Sequence, residues 1–325
     1  SELQARLSTP EERAAWEALI EKPLGELIEA MVADDLIRGL LFTDAKIGVS
    51  TWPHDPSLLQ NRTFLYHVIG RGTGEWRTPA GGMGALVKQL EALARKCGVR
   101  IVTGANVTHL DPGSDGVDLG FEAEGGSFEV GAGYLLSNAP AVALDRLRGK
   151  TADSKPEDEG SVFKINLLLK RLPKLRSNRV RPEDAFAGTF HIDEGYAAMT
   201  ENYRRSRAGA LADRPACEIY CHSLTDDSIL SPELAAAGYQ TLTCFGIDAP
   251  YALFESDTDI LRVRLQENVI RCLNRYLAEP IQDSLAVDAH GRPCVETKTP
   301  VDLEKEIHLP RGNIFHNALS LSLIH

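Results

Sequence analysis

No strand–GxGxxG–helix fingerprint, with an acid about 20 residues further on, occurs in this chain. Its absence removes the usual grip on a dinucleotide pyrophosphate, in which backbone N–H groups and a helix N-terminus face the phosphates. Positive charge is also in deficit: 35 Lys and Arg stand against 46 Asp and Glu, for a net charge of −11. Without surplus cations to neutralise phosphates, nucleic acid is excluded as a partner, and an anionic membrane surface is disfavoured with it. No apolar run approaches the roughly 20 residues that span a bilayer. The opening Ser1-Glu2-Leu3-Gln4-Ala5-Arg6 has no signal-peptide core. The expectation is a cytoplasmic protein with no integral membrane segment. A GxSxG nucleophile elbow is missing, and the histidines are scattered, so no Ser–His–Asp set can be read. There is no internal repeat and no low-complexity tract.

Cysteine is present but unpaired in pattern. Cys97, Cys217, Cys221, Cys244, Cys272 and Cys294 lie mostly within apolar stretches and read as reduced core thiols, not a disulfide framework. Cys217-Glu218-Ile219-Tyr220-Cys221-His222 has a suggestive spacing. Zinc sites bring two close ligand pairs, and no second pair follows, so no metal is expected.

What is there is ordinary globular material. The 325 residues suffice for one large domain or two ordinary ones, with 43% hydrophobic and 25% charged residues. Thr9, Pro10 and Glu12 form a helix start. A second helix is expected from Pro23, where Leu24, Leu27, Ile28, Met31, Val32 and Leu36 repeat at three and four residues. Residues 43–78 read as loop-rich, with a short apolar run at Thr63–Ile69. Within them Arg71-Gly72-Thr73-Gly74-Glu75-Trp76-Arg77 starts like GxGxxG but puts Arg77 at the sixth position, and reads as a loop.

Pro79-Ala80-Gly81-Gly82-Met83-Gly84 then opens a helix over 84–97, with Leu86, Leu90, Leu93 and Cys97 in one stripe and Gly98 as its stop. The bland reading of this turn is a loop and a helix cap. The functional one is a cofactor loop: two glycines allow close backbone approach, the helix N-terminus favours negative charge, and Met83 offers a flexible apolar surface to a flat ring. A strand is expected at Arg100–Val102, a small antiparallel meander over Gly104–Val130, and a short apolar strand at Tyr134–Pro140. After the helix Ala141–Arg148 comes a charged crossover at Lys150–Glu159. Strands follow at Val162–Leu169, Cys217–Leu224 and Gln240–Ile247, with a surface loop at Lys170–Pro182. Asp226 and Asp227 read as a turn. A long helix over Asp259–Leu277 carries Leu261, Leu265, Val269, Cys272 and Tyr276 on one face, and the chain then returns through Ile307–Pro310 to Gly312–His316.

Pro79–Gly84, the helix to Gly98, Gly104–Val107 and Leu136-Ser137-Asn138-Ala139-Pro140 together resemble the middle of phytoene-desaturase-like flavoproteins. These are the phytoene dehydrogenase-related oxidoreductases, which include the pyridine nucleotide-disulphide oxidoreductase domain-containing proteins. Glu159–Asn166, Cys217–Asp226, Thr299–Glu304 and Gly312–His316 match in the same order, so the resemblance runs from about residue 8 to 318. It implies an α/β fold of α+β character: the central piece of a discontinuous FAD/NAD(P)-binding domain plus a mixed-sheet substrate domain with helices. Residues 77–149 would be the central FAD-domain segment, 1–76 and 150–309 the substrate domain, and 310–325 the start of a return to the FAD domain.

The implied activity is FAD-dependent dehydrogenation or desaturation, by hydride removal from a C–C or C–N bond of an apolar small molecule. Gly81, Gly82 and Met83 would form a flavin-side loop, the Val107 backbone would meet the adenine end, and Ser137 and Asn138 would lie along the cofactor path. No catalytic acid or base is singled out. The family's first GxGxxG segment, its ribose-binding glutamate and its last glycine-rich FAD segment are not among these residues, so this chain alone is expected to bind FAD weakly or not at all. The rival expectation is a non-catalytic binding module, or an inactive fragment that keeps the substrate-domain fold. A homodimer is a generic expectation.

Overall fold

The computed structural model describes residues 2–69, 72–73 and 77–320, so most of the loop read at Arg71–Arg77 lies outside the described residues. The chain divides into two compact units, Ser1–Arg77 with Glu159–His325, and Thr78–Asp158. Helices and antiparallel sheets occur in each, and the fold class is α/β.

The first unit opens with helices. Thr9 accepts from the Glu12 N–H at 3.1 Å while the Glu12 carboxylate accepts from the Thr9 N–H at 3.0 Å, so two otherwise orphaned donors are satisfied at the start of Pro10–Trp16. The apolar repeat that begins at Leu24 is cut in two. Leu24–Met31 ends, and Asp34 starts a new helix, Asp35–Thr43, by accepting from the N–H groups of Leu36 and Ile37. Leu36 is consequently exposed.

A further helix, Leu59–Ile69, occupies ground expected to be loop. Its buried face is polar, with Gln60, Asn61, Thr63 and His67, so no apolar period of 3.6 marks it. Those side chains serve the backbone instead. Asn61 accepts from the Leu24 N–H and donates to the carbonyls of Leu19 and Lys22, and Gln60 donates to the carbonyls of Pro53 and Asp55. The Asn61 amide and the Gln60 Nε2 group are thereby paired, which is the condition for leaving them inside.

Five strands form the sheet of this unit: β4 (Phe163–Leu169), β5 (Phe190–Ile192), β6 (Cys217–Tyr220), β7 (Gln240–Gly246) and β8 (Val295–Lys298). Their order is β5-β6-β7-β4-β8, and every pairing is antiparallel. Strand side chains alternate faces. Phe163, Ile165, Leu167 and Leu169 of β4 enter the main core with Ile192, Cys217, Ile219, Leu242 and Cys244. The helix Thr258–Asn274 covers that face with Leu265, Val269, Cys272 and Leu273, while Tyr276 lies beyond the helix and is exposed.

The opposite face carries the other alternate residues. One cross-strand row reads His191, Glu218, Phe245, Lys164, Lys298, and the next reads Tyr220, Thr243, Asn166, Glu296. A second, smaller core of Leu24, Ile28, Phe42, Tyr196, Met199 and Ile247 packs with Phe245, so the N-terminal helices cover part of this face.

The second unit holds the meander β1 (Asn106–Pro112), β2 (Val117–Ala123) and β3 (Gly126–Ala132), and the helices Gly82–Lys96 and Ala141–Leu147, the latter packed on β1. Leu110 is buried here, but the Leu86, Leu90 and Leu93 stripe is exposed, Leu90 at 58%, and so is Cys97, which had been expected in a core. Arg100–Val102 and Tyr134–Pro140 are not strands: neither pairs with another strand among the described residues, and apolar character alone makes no ladder.

Candidate functional site

Strand pairing sets His191 directly opposite Glu218. After Ile192 the chain turns through Asp193, whose φ of 57° is left-handed, and this brings Glu194 back towards His191. The turn is anchored, because the almost fully buried Asp193 carboxylate takes Arg214 at 2.5 Å and Arg275 at 2.5 Å. His191 Nδ1 then lies 2.6 Å from Glu194 Oε2, and the Thr43 hydroxyl donates to the same oxygen at 3.1 Å. Glu194 Oε1 is buried and has no hydrogen-bond partner. On the neighbouring strand the Tyr220 hydroxyl donates to Glu218 Oε2. One ligand atom from each of His191, Glu194 and Glu218 falls within 4.8 Å of the others. The two glutamates are 7% and 9% exposed, and the histidine is partly exposed.

Gly39 explains how Thr43 reaches this cluster. A Cβ at Gly39 would sit 1.8 Å from the Glu194 carbonyl oxygen and 2.8 Å from the Tyr196 nitrogen. Only a residue without a side chain lets the Asp35–Thr43 helix approach this backbone.

The electrostatics follow from burial. Desolvation raises the Glu218 carboxyl above the usual carboxylate range; the Tyr220 hydrogen bond opposes this, and the charge of Glu194 adds to it. Burial and the bond to Glu218 push the Tyr220 hydroxyl up. Burial disfavours charge on His191, yet the Glu194 hydrogen bond and the charges of Glu194, Glu218 and Asp44 outweigh it and raise the imidazole. Burial also raises Asp44, against the pull of His67 and His191. The cluster is rich in acceptors and can hold a proton or another cation.

A groove of about 560 Å³ runs along the same sheet face, a size suited to a small molecule. Lys164, Leu168, His222, Ile229, Thr241 and Val295 are among its lining residues. The Thr243 hydroxyl donates to Asn166 Oδ1 at 3.1 Å, and Asn166 Nδ2 donates to Glu296 Oε2 at 3.3 Å, forming a polar floor across three strands. His222 stacks on Tyr220 with ring centroids 5.7 Å apart and planes 4° from parallel. Groove and cluster are therefore joined through His222, Tyr220 and Glu218.

The residues expected to face a cofactor all lie in the second unit. Gly81 and Gly82 have φ of 82° and 67°, and Gly81 caps the Gly82–Lys96 helix with no side-chain cap bond. Met83 is exposed. Val107 is exposed in β1 opposite Phe121, beside a shift in register. The Ser137 hydroxyl accepts from the Ala139 N–H at 3.3 Å, and Asn138 is exposed. The helix following this turn packs on the strand that carries Val107.

Cys217 and Cys221 do not form a ligand pair: Cys217 points into the main core, while Cys221 contacts Ser223 and Gln240. Asp226 accepts from the Ser228 N–H at 3.1 Å, as a turn residue does. Glu194, Glu218 and Tyr220 were not singled out from sequence, and His191, like His67, His222 and His316, read as a hydrogen-bonded structural histidine. The available signal was the alternation of Glu218 and Tyr220 with Cys217 and Ile219, which marks a strand with one polar face.

No family model matches the chain. Uncharacterised proteins of Mycobacterium tuberculosis and Mycobacterium bovis are 45% identical to it over 316 residues, covering 95% of this chain and 57% of their own length. Pyridine nucleotide-disulfide oxidoreductase domain-containing protein 2 of Mus musculus is 28% identical over 326 residues, covering 94% of this chain and 53% of its own. A solved flavoprotein/dehydrogenase from Cytophaga hutchinsonii aligns with a TM-score of 0.31 at 14% identity, over 69% of this chain and 43% of its own. The chain spans a little over half the length of the curated relatives it matches, and the mouse relative bears the name of one of the two groups in the resemblance.

Proposed function

We propose that this chain carries the substrate groove and the central cofactor segment of an FAD-dependent oxidoreductase acting on an apolar small molecule. The observation that carries the proposal is the alignment, across almost the whole chain, with a mouse protein named for a pyridine nucleotide-disulfide oxidoreductase domain. In this reading residues 77–149 belong to the FAD domain, and 1–76 with 150–309 to the substrate domain. FAD supplies the hydride acceptor when bound.

The residues proposed to hold FAD suit it in two respects. A Cβ placed on Gly82 would meet nothing within 4 Å, so the backbone there is open to a ligand. The helix that Gly81 caps has no acidic residue in its first turn, which favours an anionic group at its N-terminus. Met83, Val107, Ser137 and Asn138 complete the set. In the first unit Leu168 and Ile229 would bind the apolar substrate and exclude water, and the Thr243–Asn166–Glu296 row would orient any polar end. Desaturation of the phytoene-desaturase kind is the finer form of this reading.

The test is a titration of the purified chain with FAD, followed by quenching of flavin fluorescence, beside a thermal-shift screen of long-chain polyenes and acyl chains. Weak saturable quenching that Gly82→Val abolishes, and stabilisation by an apolar ligand, are the expected results. Absence of quenching refutes the cofactor role of this chain. Absence of any apolar stabilisation refutes the substrate class.

A further inference from the structure

We propose that His191, Glu194 and Glu218 bind a divalent cation, independently of any flavin. The argument begins with charge. Two carboxylates lie buried on one sheet face with a single imidazole between them. Their other hydrogen-bond partners among the described residues are the hydroxyls of Thr43 and Tyr220, and no lysine or arginine pairs with either glutamate. Asp44, the next residue after Thr43, adds negative potential to the same place. One imidazole can balance only one of the two carboxylates, and a buried charge left unbalanced is expensive.

Glu194 Oε1 is the second, separate observation. It is fully buried, yet it makes no hydrogen bond. Because it shares a carbon with Oε2, which His191 and Thr43 hold, the unpartnered oxygen belongs to the cluster itself.

The donor set is one nitrogen and two carboxylate oxygens, which suits zinc, manganese or ferrous iron more than calcium or magnesium. In a tetrahedral site, ligand atoms at about 2.0–2.2 Å from the ion are about 3.3–3.6 Å apart. The three ligand atoms lie within 4.8 Å of one another, so side-chain adjustments of up to about 1–1.5 Å bring them to that spacing. The supporting bonds are in place, since Thr43 holds Glu194 and Tyr220 holds Glu218, as outer groups hold metal-bound carboxylates. Three protein ligands with His191 partly exposed leave a coordination position open to water. The cation would also pin the Asp35–Thr43 helix to the β5–β6 edge.

The experiment titrates the full chain with Co²⁺, read by its visible d–d bands, with Zn²⁺ as competitor. A Cys97→Ser background removes the exposed thiol. One equivalent is expected to bind with nitrogen–oxygen spectra and to raise the melting temperature. Glu194→Gln and Glu218→Gln, each checked for a native circular-dichroism spectrum, should weaken binding by roughly tenfold or more. Unchanged affinity in both variants, thiolate charge-transfer bands, or no binding by the folded parent chain overturns the proposal.

Discussion

Replacing Lys46 with methionine tests the fully buried ion pair of the first unit. Lys46 Nζ lies 2.6 Å from Asp248 Oδ1, and the two side chains are 0% and 1% exposed. The ammonium also donates to the Met199 carbonyl at 3.3 Å and sits 5.6 Å from the centre of the Tyr203 ring. Asp248 Oδ2 has no hydrogen-bond partner, so the lysine is what neutralises that carboxylate. Burial lowers the Lys46 pKa and raises that of Asp248, and each partner opposes the other's shift.

Removing one charge leaves the other stranded, a loss of about 3–5 kcal/mol, whereas replacing both is often close to neutral. Asp248 has φ of 61°, a conformation asparagine tolerates, so Asp248→Asn adds little backbone strain. Lys46→Met alone is therefore expected to destabilise by about 3–5 kcal/mol, and Lys46→Met with Asp248→Asn to recover part of that loss, the buried amide keeping a desolvation cost of about 1–3 kcal/mol. Urea unfolding followed by tryptophan fluorescence reads both, since Trp52 lies in the same unit. A single variant within about 1 kcal/mol of the parent, or a double variant as unstable as the sum of its parts, would refute the argument that the charges depend on each other.

Two further outcomes follow from packing and titration. Gly39→Ala drives a methyl into the Glu194 carbonyl and should lose about 1–3 kcal/mol or more, with reduced Co²⁺ affinity reporting displacement of Thr43. For Asp302, burial opposes ionisation, but the Thr299 N–H and the Arg262 guanidinium outweigh it and hold the pKa below 3.8. A lowered folded-state value means that its stabilisation is present above 3.8 and is lost as the pH falls through the folded value. Acid unfolding of Asp302→Asn, followed by circular dichroism, should therefore depend less on pH in that range, and an unchanged profile would count against the Thr299–Asp302–Arg262 arrangement.

Elements with one strong local signal were legible in the sequence. Thr9 with Glu12 marks a helix start whatever it packs on, the turns at Pro112-Gly113 and Gly125-Gly126 delimit the meander, and β4 alternates strictly between core and open face. The helix Leu59–Ile69 was not legible, because hydrogen-bonded polar side chains fill its buried face. Arg100–Val102 and Tyr134–Pro140 read as strands because they are apolar, but a strand needs a neighbour. The Leu86–Leu90–Leu93 stripe is periodic as read and yet exposed, since periodicity marks a face and not what meets it. The cluster was the least legible part. His191 and Glu218 are far apart in sequence and meet only through β5, three residues long and too short to leave a pattern.

The row Thr243–Asn166–Glu296 has a direction. A carboxylate only accepts hydrogen bonds, and the Lys298 hydrogen bond keeps Glu296 in that form by lowering its pKa. The Asn166 amide must therefore turn its nitrogen to Glu296 and its oxygen to Thr243, and the Thr243 hydroxyl must spend its hydrogen on that oxygen. What Thr243 presents to the groove is lone pairs. A charge on the edge strand β8 thus sets, two strands away, a preference for ligands that bring a donor of their own.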